Sequence, residues 1–167
     1  MVNCKVLLLL VVIDQILCNE NIALVQYSNP FHESILCRNC GYDLFKTNHI
    51  ISKSSPESQY SFYDKVFNTE DNIFVQTFLA NLFFEYPIII STESSCTGIG
   101  EWEESSWFPG YISRPCICSE CGAFIGWVFQ PSDFRLKSSE VFFGLILPNI
   151  VGETFADSLI VSPKVKN

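Results

Sequence analysis

Hydrophobic positions fall along this chain in short runs broken by turn formers, with little sustained 3.6-residue periodicity. Tyr60 to Phe67 and Ile73 to Phe84 are rich in aromatic and β-branched residues and predict strands. Phe74, Phe78 and Leu82 share a helical spacing, so one end of the second run also reads as helix. Pro87 followed by three isoleucines predicts a further strand, as do Phe124 to Phe129, closed by Gln130-Pro131, and Val141 to Leu147, closed by Pro148. Ser158 to Val161 is expected to be the last strand and Lys164 to Asn167 a frayed tail. Ser52 to Ser61, with Pro56, reads as a loop, and Ser91 to Ser106 as a polar, acidic one. Many short strands without a convincing helix make the fold mainly β.

The chain has 167 residues, enough for one domain with a substantial core. Its formal charge of -8 repels phosphate, which argues against nucleic-acid backbones and anionic membrane surfaces as partners. Lys5 and the apolar run Val6 to Ile13 resemble a secretory signal, with cleavage expected after Cys18. That run is far shorter than the roughly 20 residues of a membrane span. A buried N-terminal strand is the plainer alternative for it. Residues 1–18 are therefore expected to be a signal peptide, 19–34 a leader and 35–163 the folded domain of a secreted protein.

Secretion makes the cysteines informative, because thiols survive poorly in an oxidising compartment. Cys37-x-x-Cys40 and Cys118-x-x-Cys121 form two matching pairs, each followed by glycine. Four soft ligands from two tight turns suit one structural Zn2+, with no coordination position left for water or substrate. Two disulfides are the competing arrangement. Cys96 and Cys116 remain as an even pair, either bonded to each other or free.

The aromatic residues gather around the second pair. Ser106-Trp107-Phe108-Pro109-Gly110-Tyr111, the second CxxC and Ile125-Gly126-Trp127-Val128-Phe129 together resemble the CULT domain family, that of the thalidomide-binding domain of cereblon. The first CxxC and Phe142-Phe143-Gly144-Leu145 match the same family in order. A signal-like segment before a lone domain resembles the family's secreted eukaryotic branch.

This resemblance implies a β-tent fold, two antiparallel sheets pinned at one end by a Cys4 zinc site. It also implies an aromatic cage for cyclic imides such as glutarimide, for uracil-like rings, or for a modified peptide end carrying one. Trp107 and Trp127 match two cage tryptophans and Phe129 the aromatic at the base. Ser105 matches the residue whose backbone carbonyl takes the imide N–H, and Asn68 an asparagine covering the pocket from an upstream loop. The family's middle cage tryptophan falls on Ser113, so one wall is missing, with Trp102 and Tyr111 the nearest aromatic replacements in sequence. Flat walls suit the apolar faces of such a ring. An unmatched polar edge would cost roughly 1–3 kcal/mol, which makes the imide pattern selective.

Two rival functions belong to other classes. An enzyme similar to methionine sulfoxide reductase B would need a nucleophilic cysteine late in the chain, and no cysteine follows Cys121. No catalytic residue is therefore assigned. An interaction module would use the acidic loop with Glu101, Glu103 and Glu104.

Overall fold

The computed structural model of the chain describes residues 32–80, 83–133 and 140–159, all within one compact unit, Phe31–Asn167. The expected signal peptide, most of the leader and the C-terminal tail lie outside the described residues. The strands in the first half are β1 (Ser34–Cys37), β2 (Asp43–Lys46), β3 (Ile50–Ile51), β4 (Tyr60–Asp64), β5 (Ile73–Ala80) and β6 (Phe84–Ser91). The second half holds β7 (Thr97–Gly98), β8 (Glu103–Glu104), β9 (Tyr111–Ile117), β10 (Phe124–Pro131), β11 (Phe142–Ile146) and β12 (Ile150–Gly152). A short helix, α1 (Glu153–Ser158), follows.

These strands build two antiparallel sheets, as expected. The smaller has the order β12-β1-β2. The larger, of nine strands, runs β4-β5-β6-β11-β10-β9-β7, with β3 beside β6 and β8 beside β9. The four-cysteine cluster lies across both sheets: Cys37 ends β1, while Cys118 and Cys121 sit in the turn between β9 and β10.

The run Ile88-Ile89-Ile90 shows why some strands are apolar throughout rather than alternating. Ile89 joins a core with Ile35, Val75, Leu145 and the buried Cys37 and Cys118. Ile88 and Ile90 join a second core with Phe78, Phe108, Phe129 and Phe142. Successive side chains of a strand point to opposite faces, so the larger sheet buries apolar residues on both. The metal-type cluster belongs to one face and the aromatic cluster to the other. Gly126 is required by this packing, since a Cβ there would lie 2.1 Å from the Gly144 carbonyl oxygen of β11.

Three expectations change. Phe74 and Phe78 lie in the strand β5, not in a helix, because pairing with β4 and β6 on either side supplies its backbone hydrogen bonds. Ser158 ends α1 rather than opening a strand. The buried Glu33 fixes that turn: its carboxylate accepts hydrogen bonds from the N–H groups of Thr154 (3.0 Å) and Asn68 (2.6 Å). The polar loop Ser91 to Ser106 also contains two strands, β7 and β8, both paired with β9.

Candidate functional site

The two CxxC turns are built alike. In the first, Gly41 N–H donates to the Cys37 carbonyl (2.8 Å) and Cys37 N–H to the Tyr42 carbonyl (2.8 Å). In the second, Gly122 N–H donates to the Cys118 carbonyl (2.9 Å) and Cys118 N–H to the Ala123 carbonyl (2.8 Å). Gly41 and Gly122 have φ of 77° and 71°, a left-handed conformation that side chains with a Cβ resist. Each turn thereby aims two sulfurs at the same point.

All four Sγ atoms lie within 4.8 Å of one another. Cys37 to Cys121 is 3.8 Å and Cys40 to Cys118 is 3.6 Å, both pairs formed between turns rather than within one. Disulfide sulfurs sit about 2.05 Å apart, so these are four thiols. A zinc tetrahedron with Zn–S near 2.3 Å has edges of about 3.8 Å, which these separations match. The donor set fits a single soft divalent cation. Cys37 and Cys118 are buried, Cys40 and Cys121 exposed.

The four thiols strongly perturb one another's protonation. The Asn39 side-chain amide, 3.4 Å from Cys121 Sγ, and then the Ala123 N–H lower the Cys121 thiol to about 6. For Cys40 the Tyr42 N–H favours the thiolate, yet desolvation and the three neighbouring sulfurs outweigh it and push the thiol up to about 12. Desolvation, above all, raises Cys37. Four sulfurs this close share little negative charge unless a cation sits among them. The remaining pair, Cys96 and Cys116, is joined by a disulfide that fastens the start of β7 to β9.

On the opposite face, Ser105, Trp107, Ser113, Trp127 and Phe129 line one cleft of about 400 Å³, together with Leu79, Ala80, Glu103, Glu104 and Ser106. Five of the six residues singled out for ligand contact thus come together from the β8–β9 connection, β9 and β10. Asn68 does not. Its N–H is held by Glu33, and it lines a separate cavity with Phe67, Leu147 and Phe155.

The indoles are not two plates facing each other across a ring-wide slot. Their centroids are 4.5 Å apart and their planes meet at 71°, so they form a corner. Phe78 stacks on Trp107 (4.8 Å, 23°), and the edges of Tyr86 and Phe124 pack on Trp127. Both indoles remain half-buried, while Phe129 is buried beneath them. Neither aromatic candidate fills the place of the missing wall. Tyr111 packs on Phe142 and accepts a hydrogen bond from Lys53 Nζ, and Trp102 lies under the Arg114 guanidinium.

Trp107 is positioned by residues that motif reasoning did not single out. Ser105 Oγ accepts hydrogen bonds from the N–H groups of Trp107 (3.3 Å) and Phe108 (3.1 Å). Ser55 Oγ donates to the Trp107 carbonyl, and Ser55 N–H donates to Gln76 Oε1 (2.6 Å). The buried Gln76 side chain in turn donates to the Lys53 carbonyl (2.8 Å). A polar Gln76 in the apolar run of β5 was the available sequence signal, because a buried amide needs partners. Tyr86, against both indoles, carried no such mark.

Comparison with protein-family models finds no match, and neither does comparison with curated proteins. What stands is a mainly-β domain with a four-cysteine cluster suited to a metal and a large aromatic cluster beside a cleft.

Proposed function

We propose that this chain is a secreted, non-catalytic binding domain for a small planar ring, a cyclic imide or uracil-like heterocycle, free or at a modified peptide end. A single Zn2+ held by Cys37, Cys40, Cys118 and Cys121 serves structure alone. The observation that carries the reading is the convergence of Ser105, Trp107, Ser113, Trp127 and Phe129 on one cleft, the places a CULT-type motif assigns to its ligand. Their spacing in sequence spans 25 residues between Ser105 and Phe129 when both ends are counted, so only the folded β9–β10 hairpin unites them.

The ring rests in the corner of the indoles rather than between parallel walls, with the Ser105 carbonyl available to the imide N–H. The lining residues offer hydroxyl and carboxyl groups but no histidine or cysteine, a poor set for nucleophilic chemistry. The Cys96–Cys116 disulfide supports an oxidising compartment.

Titration of the zinc-loaded protein with glutarimide and with uridine, followed by tryptophan fluorescence and NMR, tests this. Micromolar or weaker binding is expected, abolished by Trp107→Ala. No response to either compound at millimolar concentration overturns the reading.

A further inference from the structure

The place of the missing aromatic wall has a definite neighbour. Ser113 pairs in register with Glu103 of β8 on one side and with Phe129 of β10 on the other. Directly opposed residues of an antiparallel pair share a face, so Glu103, Ser113 and Phe129 form one row across the sheet. A bulky side chain in the middle of that row would stand between the carboxylate and the rings. Serine leaves the way open, and Glu103 lines the cleft on the same face as Phe129, while Glu104, next along β8, sends its side chain to the other face.

The charge of the lining is one-sided. No lysine, arginine or histidine lines the cleft. Among the described residues the ion pair found is His49 with Glu93, at 3.5 Å, and neither Glu103 nor Glu104 has a cationic partner within 4.0 Å. The nearby guanidinium of Arg114 is stacked on Trp102, which does not line the cleft. The half-buried indoles add the negative potential of their ring faces.

Resting on the reading of this cleft as the ligand site, we propose that it selects rings that carry a positive charge, an ammonium or other onium group beside the planar imide-like edge. The indole corner receives the ring and contributes cation–π attraction. Glu103 then replaces the absent third wall with charge, favouring cationic guests over neutral ones of the same shape and repelling anionic ones. Because the Glu103 carboxylate is exposed, the preference is sensitive to salt.

A charge-only comparison tests it: glutarimide bearing a 3-trimethylammonium group against glutarimide bearing the isosteric 3-tert-butyl group, titrated into the full zinc-loaded protein. At low salt the cationic compound is expected to bind about five to ten times more tightly, the gap narrowing at 0.5 M salt, where the screening length is about 4 Å. In Glu103→Gln, an isosteric change at an exposed position, the cationic compound is expected to lose its advantage and the two to bind alike. Equal affinities in the wild type overturn the inference and leave the cleft reading intact, as does a ratio unchanged in Glu103→Gln. No binding of either compound overturns both.

Discussion

At the scale of single residues, the proposed ring site turns on Ser113. It sits beside Phe129 with Glu103 on its other side, and its hydroxymethyl gives a guest almost no flat surface. An aromatic contact of this kind contributes roughly 0.5–1.5 kcal/mol beyond its area. Ser113→Trp is therefore expected to tighten glutarimide binding about tenfold, read by calorimetry, since tenfold corresponds to about 1.4 kcal/mol. An unchanged or weaker Kd would place the neutral ring elsewhere. Gly126 marks a different kind of residue, one whose side chain is excluded by the Gly144 carbonyl 2.1 Å away. Gly126→Ala is expected to lower stability by about 2 kcal/mol or more through forced separation of β10 from β11, measured by chemical denaturation.

At the scale of elements, the β9–β10 hairpin joins the two sites. Its turn carries Cys118 and Cys121, its strands carry Ser113, Trp127 and Phe129, and the disulfide ties β7 to its outer edge. The loop closed by Cys96 and Cys116 includes Glu103 and Glu104, so the disulfide fixes the acidic side of the cleft. A closed loop of 20 residues stabilises by about 3 kcal/mol in the chain-entropy account. Replacing both cysteines by alanine is expected to lower Tm by several degrees and to weaken ligands of the cleft. A Tm unchanged by the double replacement would show that β7 and β8 hold without it.

Much of this hairpin was legible beforehand. The doubled CxxC with its glycines is a strong pattern because zinc chemistry admits few alternatives, and the apolar run of β10 names its own strand. β9 was not legible: Ser113, Arg114 and Pro115 break the run, and only pairing with β10, β7 and β8 makes it a strand. The angle between Trp107 and Trp127 was equally out of reach, since Phe78, Tyr86 and Phe124 set it from other strands. The place of Asn68 was out of reach for a related reason. Its place depends on Glu33, 35 residues earlier, and no local pattern announces that hydrogen bond.

At the scale of the whole molecule, the question is what keeps the small sheet on the large one. Direct hydrogen bonds exist: Asn149 Nδ2 donates to the Phe124 carbonyl (2.9 Å), Ser95 N–H to the Leu44 carbonyl (2.8 Å) and Ser95 Oγ to the Asp43 carbonyl (2.6 Å). Each contributes only about 0.5–1.5 kcal/mol net. Four thiolates on one cation contribute far more, about 10–16 kcal/mol of apparent binding energy in small zinc peptides. The domain should therefore carry one zinc per chain by elemental analysis and lose most of its thermal stability when a strong chelator removes it.

The pH dependence has a definite sign. Binding holds the thiols as thiolates, so their effective pKa in the loaded protein lies below the unfolded value near 8.5. A depressed pKa gives stability that is complete above the unfolded value and lost as pH falls through the folded one. Acidification from pH 7 towards 4 is thus expected to release zinc and unfold the domain in one coupled transition, followed by a zinc-sensitive dye and circular dichroism together. Metal release well before unfolding would show that the sheets stay joined through their hydrogen bonds and shared core without the cation.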